Sequence, residues 1–198
     1  MTQIQLKNVR LSYANIWAPE PPFDNPEGPK KYSSALIFPK TDAHNKKVLK
    51  DAIAEAKEKG KGSKWGGVIP KNLDIGIRDG DDKLMPDGAT VAEGYEGMHY
   101  INTKANENYQ PVIVNRRAIP ITDQSEVYSG CYCNVFVDVF PYSSAGKKGI
   151  SFGLVGIQKM ADGEPLGASF SVSAFDVFDD GDSGAEEEDA NESDDDWD

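Results

Sequence analysis

Apolar and polar positions alternate with a period of two over much of this chain. The clearest run is Gly130–Tyr142 (GCYCNVFVDVFPY), where Cys131, Cys133, Val135, Val137 and Val139 share one face. It turns over residues 143–149 into Ile150–Met160 (ISFGLVGIQKM), which predicts a β-hairpin. Ile4–Tyr13 (IQLKNVRLSY) also alternates, but the alternation slips around Asn8, as a bulge or a strand buried on both faces would require. Lys31–Phe38, Leu73–Arg78, Met98–Ala105 and Pro111–Asn115 read as further strands. Phe170 and Val172 offer a short last strand or an anchor for the C-terminal segment.

One stretch changes period. Val48, Leu49, Ala52, Ile53 and Ala56 recur at helical spacing with Lys and Glu opposite. Thr41 or Asp42 can cap this helix, and Gly60 is the expected stop. The proline-rich segment Asn15–Lys30, which carries Trp17 and Phe23, reads as a long irregular loop. Gly60–Gly67 (GKGSKWGG) reads as a flexible basic loop around Trp65, and Asp79–Gly88 as an acidic one. Five to seven short strands, one helix and long loops predict a mainly β fold, a small decorated barrel, with a β-sandwich as the alternative.

Charge divides the chain in two. Residues 179–198 (DDGDSGAEEEDANESDDDWD) hold twelve acids and no base. Setting those aside leaves 21 acids against 21 bases, so residues 1–178 are formally neutral and the net charge of −12 belongs to the tail. So many like charges with so few apolar groups cannot offset the entropy of ordering, which predicts a disordered acidic tail behind a single domain, residues 1–178. Trp197 is out of place in a merely solubilising tail. With Asp194, Asp195 and Asp196 it predicts a tip that docks on a basic surface with an apolar notch. The N-terminal MTQIQLKNVR has no apolar signal core and no stretch approaches the ~20 apolar residues of a membrane span, so the expected setting is cytoplasmic and away from membranes. The two cysteines, Cys131 and Cys133, are expected as buried small hydrophobes.

Catalytic and metal chemistry find little support. His44 and His99 lie far apart, no zinc spacing exists, GKGSKWGG is not a P-loop, and the acidic turn 79–90 misses the EF-hand positions. No cofactor and no enzymatic activity are expected, with a metal-dependent nuclease built on scattered carboxylates as a rival to be tested. What the sequence does offer is aromatics interleaved with bases. Lys31 adjoins Tyr32, Lys64 adjoins Trp65, Tyr100 lies on one face with Lys104, Tyr109 precedes Arg116 and Arg117, and Tyr142 precedes Lys147 and Lys148. Single-stranded nucleic acid needs this pair of groups, rings to stack on bases and cations to meet phosphates. Candidate stacking residues are therefore Tyr32, Trp65, Tyr100 and Tyr142. Candidate phosphate contacts are Lys31, Lys64, Lys104, Arg116, Arg117, Lys147 and Lys148.

The opening IQLKNVRLSYANIW with its proline-rich loop and KYSSALIFPK, the helix directly after, the hairpin GCYCNVFVDVFPYSSAGKKGISFGLVGIQKM, and the acidic end DDDWD together resemble the single-stranded DNA-binding proteins of tailed bacteriophages. The resemblance implies an OB-fold-like five-stranded Greek-key barrel with one helix, extra strands and long loops. It also implies sequence-independent coating of single strands in replication, recombination or repair. The implied partners are single-stranded DNA and, through the tail, replication proteins such as a polymerase, helicase or nuclease. Separately, the tail's phosphate-like charge density, its one ring and its tether predict that it competes with DNA for the groove. A homodimer is compatible with this, and the setting would be the bacterial host cytoplasm. A rival from another class is an acidic-tailed adaptor or DNA-mimic inhibitor whose body does not bind DNA.

Overall fold

The structure, a computed structural model, describes residues 1–23 and 25–167. The expected tail and the short strand at Phe170 and Val172 lie outside these residues. Seven strands and one long helix occur in the order β1 (Thr2–Glu20), β2 (Lys31–Pro39), α1 (Ala43–Ser63), β3 (Ile77–Asp79), β4 (Met98–Asn106), β5 (Val112–Val114), β6 (Tyr132–Ser144) and β7 (Lys147–Ala161).

The sheet curls into a closed ring. β1 pairs antiparallel with β2 and β6, β2 with β4, and β6 with β7. The ring shuts where β4 meets β7 in parallel, at Thr103↔Phe152 and Lys104↔Gly153. The circular order β1-β2-β4-β7-β6 is that of an OB-fold barrel. β3 extends the seam on β4 and β5 extends it on β7. The helix sits between the second and third strands of the ring and packs on β1 and β6.

Alternation decides what fills the barrel. Leu6, Val9, Leu11 and Ile16 from β1, Leu36 and Phe38 from β2, and Ile101 from β4 are buried inside. Cys131, Cys133, Val135, Val137 and Val139, on β6 and at its entry, are fully buried, as their spacing requires. The two free thiols lie 3.8 Å apart between sulfurs. A second, smaller cluster of Ile37, Ala92 and Tyr95 sits on the opposite side of β2. Burial pushes the Tyr95 phenol up to about 12.

β1 carries two single-residue register shifts in its first fifteen residues, with a larger one between Asn15 and Glu20. Against β6, Leu6 pairs with Val135 and Val9 with Cys133, so one extra residue is accommodated at Asn8, where φ is 51°. Against β2, Ser12 pairs with Ala35 and Asn15 with Ser33, and Tyr13 (φ 47°) takes up the slack. Both are β-bulges. The first is stitched to the helix. Asn45 Oδ1 accepts from the Lys7 N–H at 2.9 Å, and Asn45 Nδ2 donates to the Lys7 carbonyl at 2.8 Å. Asp42 caps α1 by accepting from the Asn45 N–H.

Three expectations need correction. Asn15–Glu20 is strand, continuing β1, because Ile16 is buried and the Trp17 indole N–H donates to the Val127 carbonyl at 3.0 Å. Gly60 does not end the helix, which runs to Ser63. The glycine is needed for packing instead: a Cβ there would lie 2.6 Å from the Trp65 ring and 2.8 Å from Pro141. The strand read as Leu73–Arg78 is confined to β3, with Asp74 bridging to Gly149 beside it. Among the described residues no helix is long and apolar enough to cross a membrane.

Candidate nucleic-acid interface

Three adjoining grooves run around the barrel on the outer sides of its strands. The first, about 310 Å³, is lined by Tyr13, Ser33, Ala35, Lys83, Asn102 and Lys104. Its floor is set by register: Ser33 is opposite Lys104, and Ala35 opposite Asn102. The second, about 690 Å³, shares Lys104 and adds Lys31, Tyr109, Phe140 and Gly153. The third, about 600 Å³, shares Phe140 and adds Lys59, Lys64 and Tyr142. Shared walls at Lys104 and Phe140 make one path from Tyr13 to Tyr142.

Tyr13 dominates the first groove. The bulge turns its ring outward, leaving the residue 60% exposed, and Lys83 places its ammonium 5.3 Å from the ring centroid. Lys83 is held by backbone bonds within the 80–92 loop: its N–H donates to the Gly80 carbonyl and its carbonyl accepts from the Ala92 N–H. The turn beyond it is fixed by Asp87, whose carboxylate accepts from the Thr90 hydroxyl and from the Ala89 and Thr90 N–H groups. Those bonds hold its pKa at about 2. The acidic loop thus acts as a rigid bracket for a lysine. Neither Tyr13 nor Lys83 was among the residues picked out from the sequence. No sequence signal marks Tyr13: the slip in alternation falls at Asn8, and the second bulge shows only in the pairing of β1 with β2.

The structure sorts the sequence candidates. Lys31, Lys104, Lys64 and Tyr142 line the path. Lys147 and Lys148 flank Tyr142 across the hairpin, in register with Ser144 and Ser143. Tyr100 is on the outer side of β4 but packs edge-on against Tyr95, at 5.1 Å between centroids and 87° between planes, outside the three grooves. Arg116 and Arg117 lie in the turn after β5 and line none of the three grooves. Two rings are corrected outright. Tyr32 is buried (7% exposed) because it shares the inward face of β2 with Ser34, Leu36 and Phe38, opposite Ala105 on the same face of β4. Trp65 is core (5% exposed), lying on Gly60 with its indole N–H donating to the Tyr142 carbonyl at 3.1 Å.

The cations also fall into two groups. Lys40 meets Asp79 and Asp81, each at 2.6 Å, and is raised by those bonds. Arg78 grips Asp74 with two bonds of 2.7 Å, holding that carboxyl below the usual range. Arg10 donates to the Gly130 and Glu164 carbonyls. By contrast, Lys31, Lys64, Lys83, Lys104, Lys147 and Lys148 form no ion pair with described residues. These cations line the path of the grooves or border it, together with Lys59, which is paired with Glu55 at 2.6 Å. Among the described residues no group of three His, Cys, Asp or Glu could hold a metal ion.

Residues 2–191 match the family described as the ssDNA-binding protein of Enterobacter phage Enc34. The chain belongs to this family. Protein p50 of Acyrthosiphon pisum secondary endosymbiont phage 1 is 31% identical over 186 residues, 88% of this chain and 92% of that protein. Among solved structures, the single-stranded DNA-binding protein of bacteriophage Enc34 in complex with ssDNA superposes with a TM-score of 0.68 at 28% identity, over 83% of this chain and 89% of that one. The single-stranded DNA-binding protein gp2.5 of bacteriophage T7 superposes with a TM-score of 0.52 over 89% of this chain and 99% of that one; at 14% identity the likeness is one of fold. Within the Enc34 family, then, this chain presents an OB-fold barrel girdled by rings and unpaired lysines.

Proposed function

We propose that this chain binds single-stranded DNA without reading its sequence, and serves phage DNA replication, recombination or repair in the host cytoplasm. The observation that carries the reading is the groove path from Tyr13 to Tyr142, in a family whose Enc34 member has been solved with ssDNA. Tyr13, Tyr109 and Tyr142 supply flat faces for bases, each worth about 1–3 kcal/mol by stacking. Lys31, Lys64, Lys83, Lys104, Lys147 and Lys148 meet phosphates. Ser33 and Asn102 lie on the floor, where they can bond sugar or phosphate without selecting a base. Because the body is formally neutral, these local cations rather than bulk charge attract the strand. Arg116 and Arg117 are accessory contacts for a strand that leaves the path at β5.

The acidic segment 179–198 carries phosphate-like charge and one flat ring. In this reading it recruits a polymerase, helicase or nuclease and competes weakly with DNA. Fluorescence titration with oligo-dT at several salt concentrations tests the whole. Log affinity should fall with log salt by about 0.7 per phosphate neutralised. Absence of binding at low salt would refute it and favour the adaptor or inhibitor. Loss of labelled oligonucleotide with Mg²⁺ would instead reveal a nuclease. Ending the chain at Phe178 should tighten DNA binding and abolish partner capture.

A further inference from the structure

A fourth groove lies on the inner side of the same strands. It measures about 610 Å³ and opens between α1, β3 and the β2–β4 pair. Phe38, Leu49, Ile53, Ala54, Ile75 and Ile77 make it apolar. Lys46, Lys47, Lys50 and Lys57 line it from the helix, and no carboxylate lines it. Lys47 is paired with Asp51 at 2.7 Å, whereas Lys50 and Lys57 form no ion pair with described residues. His99, on the same wall, leaves Nδ1 buried without a hydrogen-bond partner. Side chains alternate across a strand, so this groove and the Tyr13 path use opposite faces of β4: His99 on one, Asn102 and Lys104 on the other. A strand of DNA on the outer path leaves it open.

An apolar slot rimmed by lysines fits an acidic segment that carries one large ring. This chain has such a segment: Asp194, Asp195, Asp196 and Asp198 surround Trp197. We propose that the groove between α1 and β3 seats residues 194–198 of a neighbouring copy, indole on the apolar floor and carboxylates on the lysine rim. The choice of a neighbouring copy rests on the coating function proposed above, since copies side by side on one strand present each groove with the next copy's segment at high effective concentration. The contact links copies without using the DNA path, so coating and linkage are compatible.

The test uses the full chain carrying Trp197→Ser, which removes the competing ring, and a dye-labelled peptide of residues 188–198. Anisotropy titration should show saturable binding that weakens about tenfold or more with Lys50→Glu plus Lys57→Glu, and also when the peptide's Trp is Ala. Lys104→Glu should weaken oligo-dT while weakening the peptide far less than the Lys50/Lys57 pair does, because the outer path holds the segment only weakly. No peptide binding, or weakening by Lys104→Glu in place of the groove pair, would overturn the proposal; so would equal binding of the Trp-less peptide. In the full chain labelled with 5-fluorotryptophan, the Trp197 ¹⁹F resonance, assigned by Trp197→Phe, should move with protein concentration. A concentration-independent shift would overturn the neighbouring copy as the source. Oligo-dT binding by the same Lys50/Lys57 variant is read separately, so a failed coating function and a failed groove give different results.

Discussion

Tyr13 and Trp65 are both aromatic neighbours of lysines, and the barrel uses them in opposite ways. Trp65 comes after a glycine-rich stretch that looks like an open loop, yet its ring is core because Gly60 leaves a slot in the helix for it. Tyr13 sits in a strand, where a ring is more often buried, yet a bulge turns it to solvent under Lys83. The difference teaches that local composition is a weaker guide to an aromatic's role than the backbone beneath it. A missing Cβ pulls one ring in, and an extra residue pushes the other out.

This contrast can be broken by experiment, starting with the largest effect. Trp65→Ala should lower unfolding stability by about 3–5 kcal/mol, the cost of emptying a buried aromatic site. Chemical denaturation reads this, and oligo-dT affinity of the folded protein should hold. A large loss of affinity at unchanged stability would reverse the assignment. Tyr13→Ala should do the converse: affinity for oligo-dT falls by about 1–3 kcal/mol. Its stability should stay within about 0.5 kcal/mol, as for an exposed position. Tryptophan fluorescence and a melting curve on one sample separate the two quantities.

Lysine variants sharpen the same contrast on the charge side. Lys104→Gln should reduce the slope of log affinity against log salt by about 0.7, because this cation is unpaired and shared by two grooves. Arg78→Gln should leave the slope unchanged, since Asp74 already occupies that guanidinium. The smallest effect concerns the cluster outside β2. Tyr95 titrates at about 12, above the ordinary value of 10.0, because burial disfavours its anion. The unfolded chain therefore loses this proton first as pH rises. The stabilising contribution is complete below pH 10 and is lost between pH 10 and about 12. Tyr95→Phe should flatten that part of the stability profile, as measured by unfolding midpoints.

The β6 strand was legible because one face of it is buried, which forces the alternation seen at Cys131–Val139, whereas Lys31–Phe38 was legible as a short apolar run that is buried on both faces. The helix was legible through Leu49, Ala52, Ile53 and Ala56. The path of cations was half legible: Lys31, Lys64, Lys104, Lys147 and Lys148 lie on or beside it, while Arg116 and Arg117 do not. The rest was hidden because it depends on tertiary contacts. Nothing local in Asn15–Glu20 announces that Val127 will supply a carbonyl to Trp17. Nothing in the acidic stretch 79–88 says that Asp87 and the Ala92 N–H will brace Lys83. Tyr32 misled because a lysine beside it suggested a surface, although register turns it inward.

Tyr13 is a residue that the ladder between β1 and β2 does not count. On either side of it, Leu11 and Ile16 are fully buried in the interior. Excising it would shorten the chain by one link without re-phasing the strand. The ring that opens the path is thus an appendage: exchanging it would change what the groove offers a base and leave the scaffold that displays it as it is.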